Sequence, residues 1–288
     1  MDGRLLALMS AFCFGINPIV LKKGLRGASS DVAVFVGLIT GLPLLLLASP
    51  LLGGFNLGQL APSAAIYFAV GGVLGVFLGR TLLYVSIDRL GSSRASTFKN
   101  SAPLVTAVAA FLLLSELVDT QRWLGIGLVT IGLMLVGQMA RKNVKTMTAG
   151  GLAVASLTAV FYGIRPVISK LGLDISPLPL AATLISYLAA VALYVVFFAV
   201  TGRLKNMKGD RQSLIYFAGG GVLQVVGLSL LNFALELDDV TIIYPISASA
   251  PLVTFILSYF VLRNREQLTL WDLLGTTMVV AGVTLLLI

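Results

Sequence analysis

Three cations interrupt stretches of this sequence that are otherwise almost free of charge: Arg80, Lys99 and Arg165. A charge at the centre of a bilayer costs on the order of 3 kcal/mol on insertion scales, so it normally faces a cavity or a partner. Arg80 lies about eight residues before the end of one apolar segment, roughly 12 Å deep at 1.5 Å per residue. Lys99 lies about seven residues into the next segment, roughly 10 Å deep by the same rise. The two segments form a hairpin, so both cations enter from one side at similar depth. Facing inward together, they make a pocket suited to a carboxylate or a phosphate. The competing reading is snorkelling, in which a long apolar stem carries the charge to the interface. Helical side chains lean toward the N-terminus, which carries Lys99 toward its near interface but Arg80 and Arg165 away from theirs. An ion pair between Arg80 and Asp88, two helical turns apart, is a third option.

The segments that must position these groups are arranged as a repeat. Residues Ala11–Leu25 return 148 positions later as Ala159–Leu173, with Gly15, Ile16, Pro18, Lys22 and Gly24 matched by Gly163, Ile164, Pro166, Lys170 and Gly172. Ser101–Thr106 returns at the same offset as Ser249–Thr254, and Asp88 as Glu236. The departures fall where a pocket is expected. Arg165 replaces Asn17, Leu228 replaces Arg80, Asn232 replaces Tyr84, Tyr244 replaces Ser96, Ser247 replaces Lys99 and Ala248 replaces Asn100. This predicts an asymmetric site. Arg80, Lys99, Tyr84 and Asn100 form one wall, Asn232, Tyr244, Ser247 and Gln224 the other, and Asn17 and Arg165 complete it. The alternative is that the neutral groups are buried polar pairs between helices.

The chain is 58% hydrophobic and 11% charged, with mean hydropathy +0.99, well below the ~25% charge of a soluble domain. Apolar runs long enough to cross a bilayer recur along its length. They predict an all-α membrane protein of ten transmembrane helices, at about 3–22, 31–52, 63–87, 92–114, 121–140, 149–170, 177–200, 213–236, 240–262 and 268–288. Five spans per copy is odd, so the second copy enters the membrane upside down. The two five-helix repeats, 1–146 and 147–288, then form one domain with a site near its centre. The loops around 22–26, 89–94, 141–145, 203–211 and 263–265 hold fourteen of the twenty Lys and Arg residues, and the opposite loops hold three. The positive-inside rule makes the richer side cytoplasmic and puts both termini outside. The net charge of +8 is dispersed over short loops, which argues against nucleic-acid binding.

Prolines 18 and 166 free the carbonyls of Phe14 and Tyr162. Pro103 and Pro251 are expected at the midpoints of the fourth and ninth helices, with Pro245 a second break in the ninth. All four paired prolines read either as packing kinks or as hinges. Gly71, Gly75 and Gly79 recur every four residues, and Gly219–Gly221 and Gly227 punctuate the eighth helix. Such small residues let helices approach closely.

A proline within a span, a glutamate just beyond it (Glu116, Glu266) and a glycine-punctuated last helix (Gly125 and Gly132, Gly275 and Gly282), all occurring twice, resemble the EamA family of the drug/metabolite transporter superfamily. The resemblance covers essentially the whole chain. It implies two inverted five-helix repeats and a central cavity lined mainly by the third, fourth, eighth and ninth helices, helped by the first and sixth. It also implies cytoplasmic termini, contrary to the charge count.

The chain has no histidine and one cysteine, Cys13, which leaves no metal-ligand cluster and no internal disulfide. The acidic residues fall near predicted span ends and none sits mid-span, which favours facilitated diffusion or exchange over proton antiport. The expected function is therefore secondary transport, by alternating access, of a small polar or amphipathic metabolite, with a carboxylate or phosphate favoured by the cations. A flippase for a phosphate-bearing lipid or lipid-linked sugar is the alternative. An intramembrane enzyme is less favoured, since no nucleophile has an evident base. No cofactor is expected. The expected partners are the substrate, the bilayer and, at most, a second copy in a homodimer. The expected location is a prokaryotic plasma membrane.

Overall fold

The structure is a computed structural model that describes residues 2–52, 55–90, 92–136, 148–202, 208–261 and 270–288. Helices α1 (Gly3–Gly24) and α2 (Ser30–Ala48) form the first hairpin. The third span is α3 (Pro62–Gly71), a π-helical stretch Gly72–Gly79, and α4 (Arg80–Leu90). The fourth is split into α5 (Ser92–Lys99) and α6 (Ala102–Leu114), and the fifth is α7 (Thr120–Val136). In the second half, α8 (Ala149–Ile175), α9 (Pro179–Val200) and α10 (Arg211–Leu237) are continuous. The ninth span is split into α11 (Val240–Ala248) and α12 (Ala250–Val261), and the tenth is α13 (Leu270–Leu287). Eight spans are long and apolar enough to cross a membrane, and Thr120–Val136 and Leu273–Leu287 are shorter apolar helices. The protein is an all-helical, ten-span membrane protein.

Helix starts follow local chemistry. Asp2, Thr148 and Asp210 each accept a hydrogen bond from a backbone N–H of the first turn, of Arg4, Gly151 and Ser213 respectively. The Ser213 hydroxyl and amide hold the Asp210 carboxyl below its ordinary range. Pro62 and Pro179 open α3 and α9, where a missing N–H costs nothing.

The prolines divide into two groups. Pro18 and Pro166 lie inside continuous helices, as does Pro245. Pro103 and Pro251 do not sit at the midpoints of unbroken helices, as the sequence suggested. Each is the second residue of a new helix after a break at Asn100–Ser101 or at Ser249. The Ser101 and Ser249 hydroxyls donate to the carbonyls of Phe98 and Ile246, both at 2.7 Å, so the interrupted turns keep partners.

Equivalent contacts appear in both halves. A Cβ at Gly15 would lie 2.5 Å from Val253 Cβ and 2.7 Å from the Ala250 carbonyl. A Cβ at Gly163 would lie 2.6 Å from Val105 Cβ and 2.7 Å from the Ala102 carbonyl. The Thr254 hydroxyl donates to the Gly15 carbonyl and the Thr106 hydroxyl to the Gly163 carbonyl, each at 2.7 Å. The axis relating the halves runs through α7 and α13. A Cβ at Gly125 would approach the Gly282 carbonyl, and one at Gly132 the Gly275 carbonyl. Gly125 pairs with the later glycine and Gly132 with the earlier, so these equivalent helices cross antiparallel. That crossing makes the second repeat an inverted copy of the first.

One element breaks the symmetry. Before the π stretch, equivalent contacts join residues 149 apart: Phe68 packs on Gly172 as Phe217 packs on Gly24, and Gly72 meets α9 as Gly221 meets α2. After it, Asp88 and Glu236, or Ser101 and Ser249, are 148 apart. The first repeat therefore carries one extra residue within this stretch. A π turn, with its i→i+5 bonding, takes one more residue per ring than an α turn. The wall it presents is held by α9. The Ser186 hydroxyl donates to the Phe68 carbonyl at 2.9 Å and the Tyr194 hydroxyl to Val76 at 3.3 Å. A Cβ at Gly72 would fall 2.2 Å from the Ser186 carbonyl, so only glycine fits.

The α7–α13 crossing gives a direct check. Gly132→Ala places a methyl against backbone and is expected to cost about 1–3 kcal/mol by overpacking. Gly127→Ala on the same helix meets nothing within 4 Å and should be neutral. Thermal unfolding of the purified protein in detergent measures both.

Candidate functional site

A cleft enclosing about 430 Å³, open mouth included, lies between α1, α2, α4, α9 and α10. It occupies the half of the molecule where α1 and α4 end and where α2 and α10 begin. Asn17, Arg80, Tyr84, Tyr187, Gly221 and Gln224 are among the residues that line it. Arg80 is the first residue of α4, set immediately after the π stretch, and the half-exposed Tyr84 follows one turn later. The Asn17 amide donates to Gln224 Oε1 at 2.9 Å, while Asn17 Oδ1 is buried without a partner. Gly220 keeps that wall thin, since a Cβ there would lie 3.0 Å from Asn17 Oδ1.

The other two cations lie outside the cleft lining. Lys99 ends α5, and its ammonium lies 5.2 Å from the centroid of the Tyr162 ring on α8. A cation over an aromatic face is attracted by the ring quadrupole. Arg165 on α8 is 7% exposed. Its side chain lies across the π stretch, where a Cβ at Gly75 would fall 2.0 Å from Arg165 Cδ. The same stripe continues with Gly71 opposite Ser169 and Gly79 opposite Tyr162. The four-residue glycine spacing of the third span thus makes room for the polar face of α8.

No carboxylate among the described residues pairs with Arg80, Lys99 or Arg165. Arg4–Asp238 at 3.5 Å, Arg122–Asp239 at 2.7 Å and Lys170–Asp174 at 3.4 Å are ion pairs at the opposite end of the bundle. Tyrosines surround the cations instead. Tyr84, Tyr162, Tyr187 and Tyr194 lie within electrostatic reach of Arg80, and Tyr162, Tyr187 and Tyr244 within that of Arg165. Arg80 and Lys99 act on one another directly. The cleft itself is lined by one cation, Arg80, with Tyr84 and Tyr187.

Three of the polar residues singled out in the sequence are engaged elsewhere. Asn100 donates to the Leu133 carbonyl at 2.8 Å, Asn232 to the Thr183 hydroxyl at 2.9 Å, and Ser247 shares a 3.0 Å hydrogen bond with Ser10. Each is buried in a helix–helix contact and does not line the cleft. Asn17, Arg80, Tyr84 and Gln224 share the cleft, and Lys99, Arg165 and Tyr244 lie in its electrostatic surroundings.

Tyr162, Tyr187 and Tyr194 were not singled out. They sit in apolar runs where an aromatic residue reads as core. The available signal was their hydroxyls, which need partners when buried. The part played by Glu116 was also hidden. Its two carboxylate oxygens accept from the amides of Val240 at 2.9 Å and Thr241 at 3.0 Å, at the N-terminus of α11, where a helix favours negative charge. Glu266 lies outside the described residues.

Ten helices in inverted repeats place this protein in the class of integral membrane transporters, and comparison with known sequences narrows the class. The chain belongs to the EamA-like transporter family, whose profile matches residues 1–138 and again 149–288. An uncharacterized transporter of Synechocystis, sll1319, is 25% identical over 226 residues, 77% of this chain and 66% of that relative. An uncharacterized protein of Methanocaldococcus jannaschii, MJ1333.1, is 30% identical over 131 residues. That match covers 45% of this chain but 90% of the relative, which is therefore about the length of one repeat. A crystal structure described only as that of a protein shares the fold, with TM-score 0.78 at 13% identity over 98% of this chain and 95% of the other.

The cleft can be mapped by thiol labelling. With Cys13 replaced by Ser, cysteines at Tyr84 and Gln224 are expected to react with a maleimide, whereas those at Asn232 and Ser247 stay protected. Equal labelling of all four would remove the cleft described above.

Proposed function

We propose that this transporter is a secondary carrier of a small organic anion that works by alternating access. The observation that carries the reading is Arg80 in the lining of the cleft, with Lys99 and Arg165 beyond that lining and no ion pair from any of the three to a described carboxylate. Burying charge without a partner is expensive, so a ligand that supplies the missing negative charge is strongly favoured. Charge-assisted hydrogen bonds from Arg and Lys then fix its carboxylate or phosphate.

The two ends of the bundle support alternating access. The cleft lies toward one end. At the other, the α10–α11 turn is clasped by Glu116, by the Arg122–Asp239 pair, and by Arg4, which pairs with Asp238 and donates to the Leu287 carbonyl. Transport requires this clasp to open while the cleft closes. The breaks before Pro103 and Pro251, and the proline turns at Pro18 and Pro166, are where the helices would bend. Among the described residues the cleft end carries Lys22, Lys23, Arg26, Arg89, Arg94, Lys208 and Arg211, so by the positive-inside rule it faces the cytoplasm. A prokaryotic plasma membrane fits the organisms of the two relatives.

Uptake by proteoliposomes, screened against amino acids, organic acids, phosphates and organic cations, tests the substrate class. Arg80→Gln and Lys99→Gln should each lower anion uptake at least about tenfold, the worth of one charge-assisted hydrogen bond, while the variants still purify as folded protein. Normal transport of a cation by both variants would overturn the reading. The clasp has its own test. Glu116→Gln combined with Asp239→Asn should expose Thr241, which is fully buried, so that a cysteine placed there labels faster. Unchanged labelling would take the clasp out of the cycle.

A further inference from the structure

Arg80 enters the cleft lining from a junction in the third span. It is the first residue of α4 and follows directly on the π-helical stretch Gly72–Gly79. The first repeat carries one extra residue within that stretch, and where the extra residue is taken up decides the direction of Arg80. Successive residues of an α-helix are turned by about 100° about its axis. Were the extra residue taken up after Arg80 instead of before it, the guanidinium would turn by about that angle, off the cleft wall. The site therefore depends on the junction staying between Gly79 and Arg80.

One side chain touches this junction from a neighbouring helix. The Tyr194 hydroxyl on α9 lies 3.3 Å from the Val76 carbonyl and 3.5 Å from that of Phe77, as donor. It also shares a 3.4 Å hydrogen bond with the hydroxyl of Thr81, the residue after Arg80. The Phe77 carbonyl in turn accepts from the Arg80 amide. A phenol can donate to a carbonyl and accept from a hydroxyl at once, so Tyr194 bridges the end of the π stretch and the start of α4. Its ring is fixed independently: it meets Phe77 edge-on at 4.8 Å and stacks on Phe198 at 5.7 Å. Tyr194 is buried, 4% exposed, and stands apart from the residues that line the cleft. Its influence on a ligand passes through the helix it touches.

The other repeat supplies a natural control. Gly72 meets Ser186 as Gly221 meets Gly37, and the same offset matches Tyr194 with Leu45. Leu45 shares an apolar cluster with Val225 and Leu228 of α10, and α10 is a continuous α-helix. Leu228 is the counterpart of Arg80. Where the third span has a π stretch followed by a cation, the neighbouring helix offers a hydroxyl. Where the eighth span is regular and carries a leucine, the neighbour offers a leucine.

We propose that Tyr194 is a positioning residue for the anion site: its hydroxyl pins the junction between the π stretch and α4 and so keeps Arg80 turned into the cleft. The consequence for transport rests on the anion-carrier reading. The consequence for geometry does not.

Two readouts on the full-length protein keep these apart. In a Cys13→Ser background, Arg80→Cys should label with a maleimide from the cleft. Adding Tyr194→Phe, which keeps both ring contacts, should slow that labelling about fivefold, the worth of one neutral hydrogen bond. Gln224→Cys on α10 should label at the same rate with and without Tyr194→Phe. In proteoliposomes, Tyr194→Phe should raise the anion concentration for half-maximal uptake by about the same factor, with the maximal rate retained. In an Arg80→Gln background it should have no further effect, since residues that act through one contact are not additive. Labelling at position 80 that Tyr194→Phe does not slow overturns the proposal, as do losses that multiply in the double variant. If no anion is transported, the carrier reading falls and the labelling alone decides on Tyr194. Should Tyr194→Phe fail to fold, Thr81→Val removes the hydroxyl on α4 and is held to the same outcomes.

Discussion

A polar group that enters the bilayer core finds no water, and each one left without a partner costs several kcal/mol. Continuous helices satisfy their own backbone. The places where this protein departs from continuity are each met by a named side chain. Thr106 and Thr254 reach carbonyls beside the prolines of α8 and α1. Ser101 and Ser249 close the turns where the fourth and ninth spans break. Tyr194 serves the π stretch, and Glu116 takes the first amides of α11. Among the buried side-chain atoms left without a partner, the two nitrogens of Arg165 are the charged ones.

Much of the frame was legible in the sequence because the same constraint acts twice. Gly15 and Gly163 recur since each meets the opposing helix at backbone distance, and Gly125 and Gly132 recur as Gly275 and Gly282 because those four form the crossing itself. Five spans per copy implied inversion, and the antiparallel order of the glycine contacts shows it. The helix breaks were not legible. A proline within an apolar run is compatible with a kink or with a restart, and the choice depends on whether a side chain can hold the interrupted turn. The π stretch was hidden for a similar reason. Gly72–Gly79 reads as ordinary small-residue helix, and only the change of offset across it, from 149 to 148, records the inserted residue.

The site was legible in its charges and obscure in its neutral groups. An arginine in a span has few acceptable places, so Arg80 and Arg165 could be singled out from composition alone. An asparagine or serine there has two: it can face a ligand or bind the neighbouring helix. Asn100, Asn232 and Ser247 took the second, each within hydrogen-bonding distance of a partner on another helix. Tyrosines escaped notice by the opposite route, since their rings suit an apolar run and only their hydroxyls and ring faces belong to the site.

The asymmetry of the two halves now has a physical form. Gly75 faces Arg165, and their counterparts Gln224 and Asn17 face each other through a hydrogen bond. On one side of the pseudo-axis a small residue makes room for a charged one. On the other, two amides of middling size close on themselves. Lys99 and Ser247 diverge in the same sense: the lysine lies over Tyr162, while the serine is spent on Ser10. Duplication yields a frame that can open at either end, but two identical walls would carry identical charge. The extra residue before Arg80 sets that cation on a wall that differs from its counterpart in register as well as in composition. Charge, register and glycine placement changed together around one hollow, while the contacts that hold the frame stayed in step.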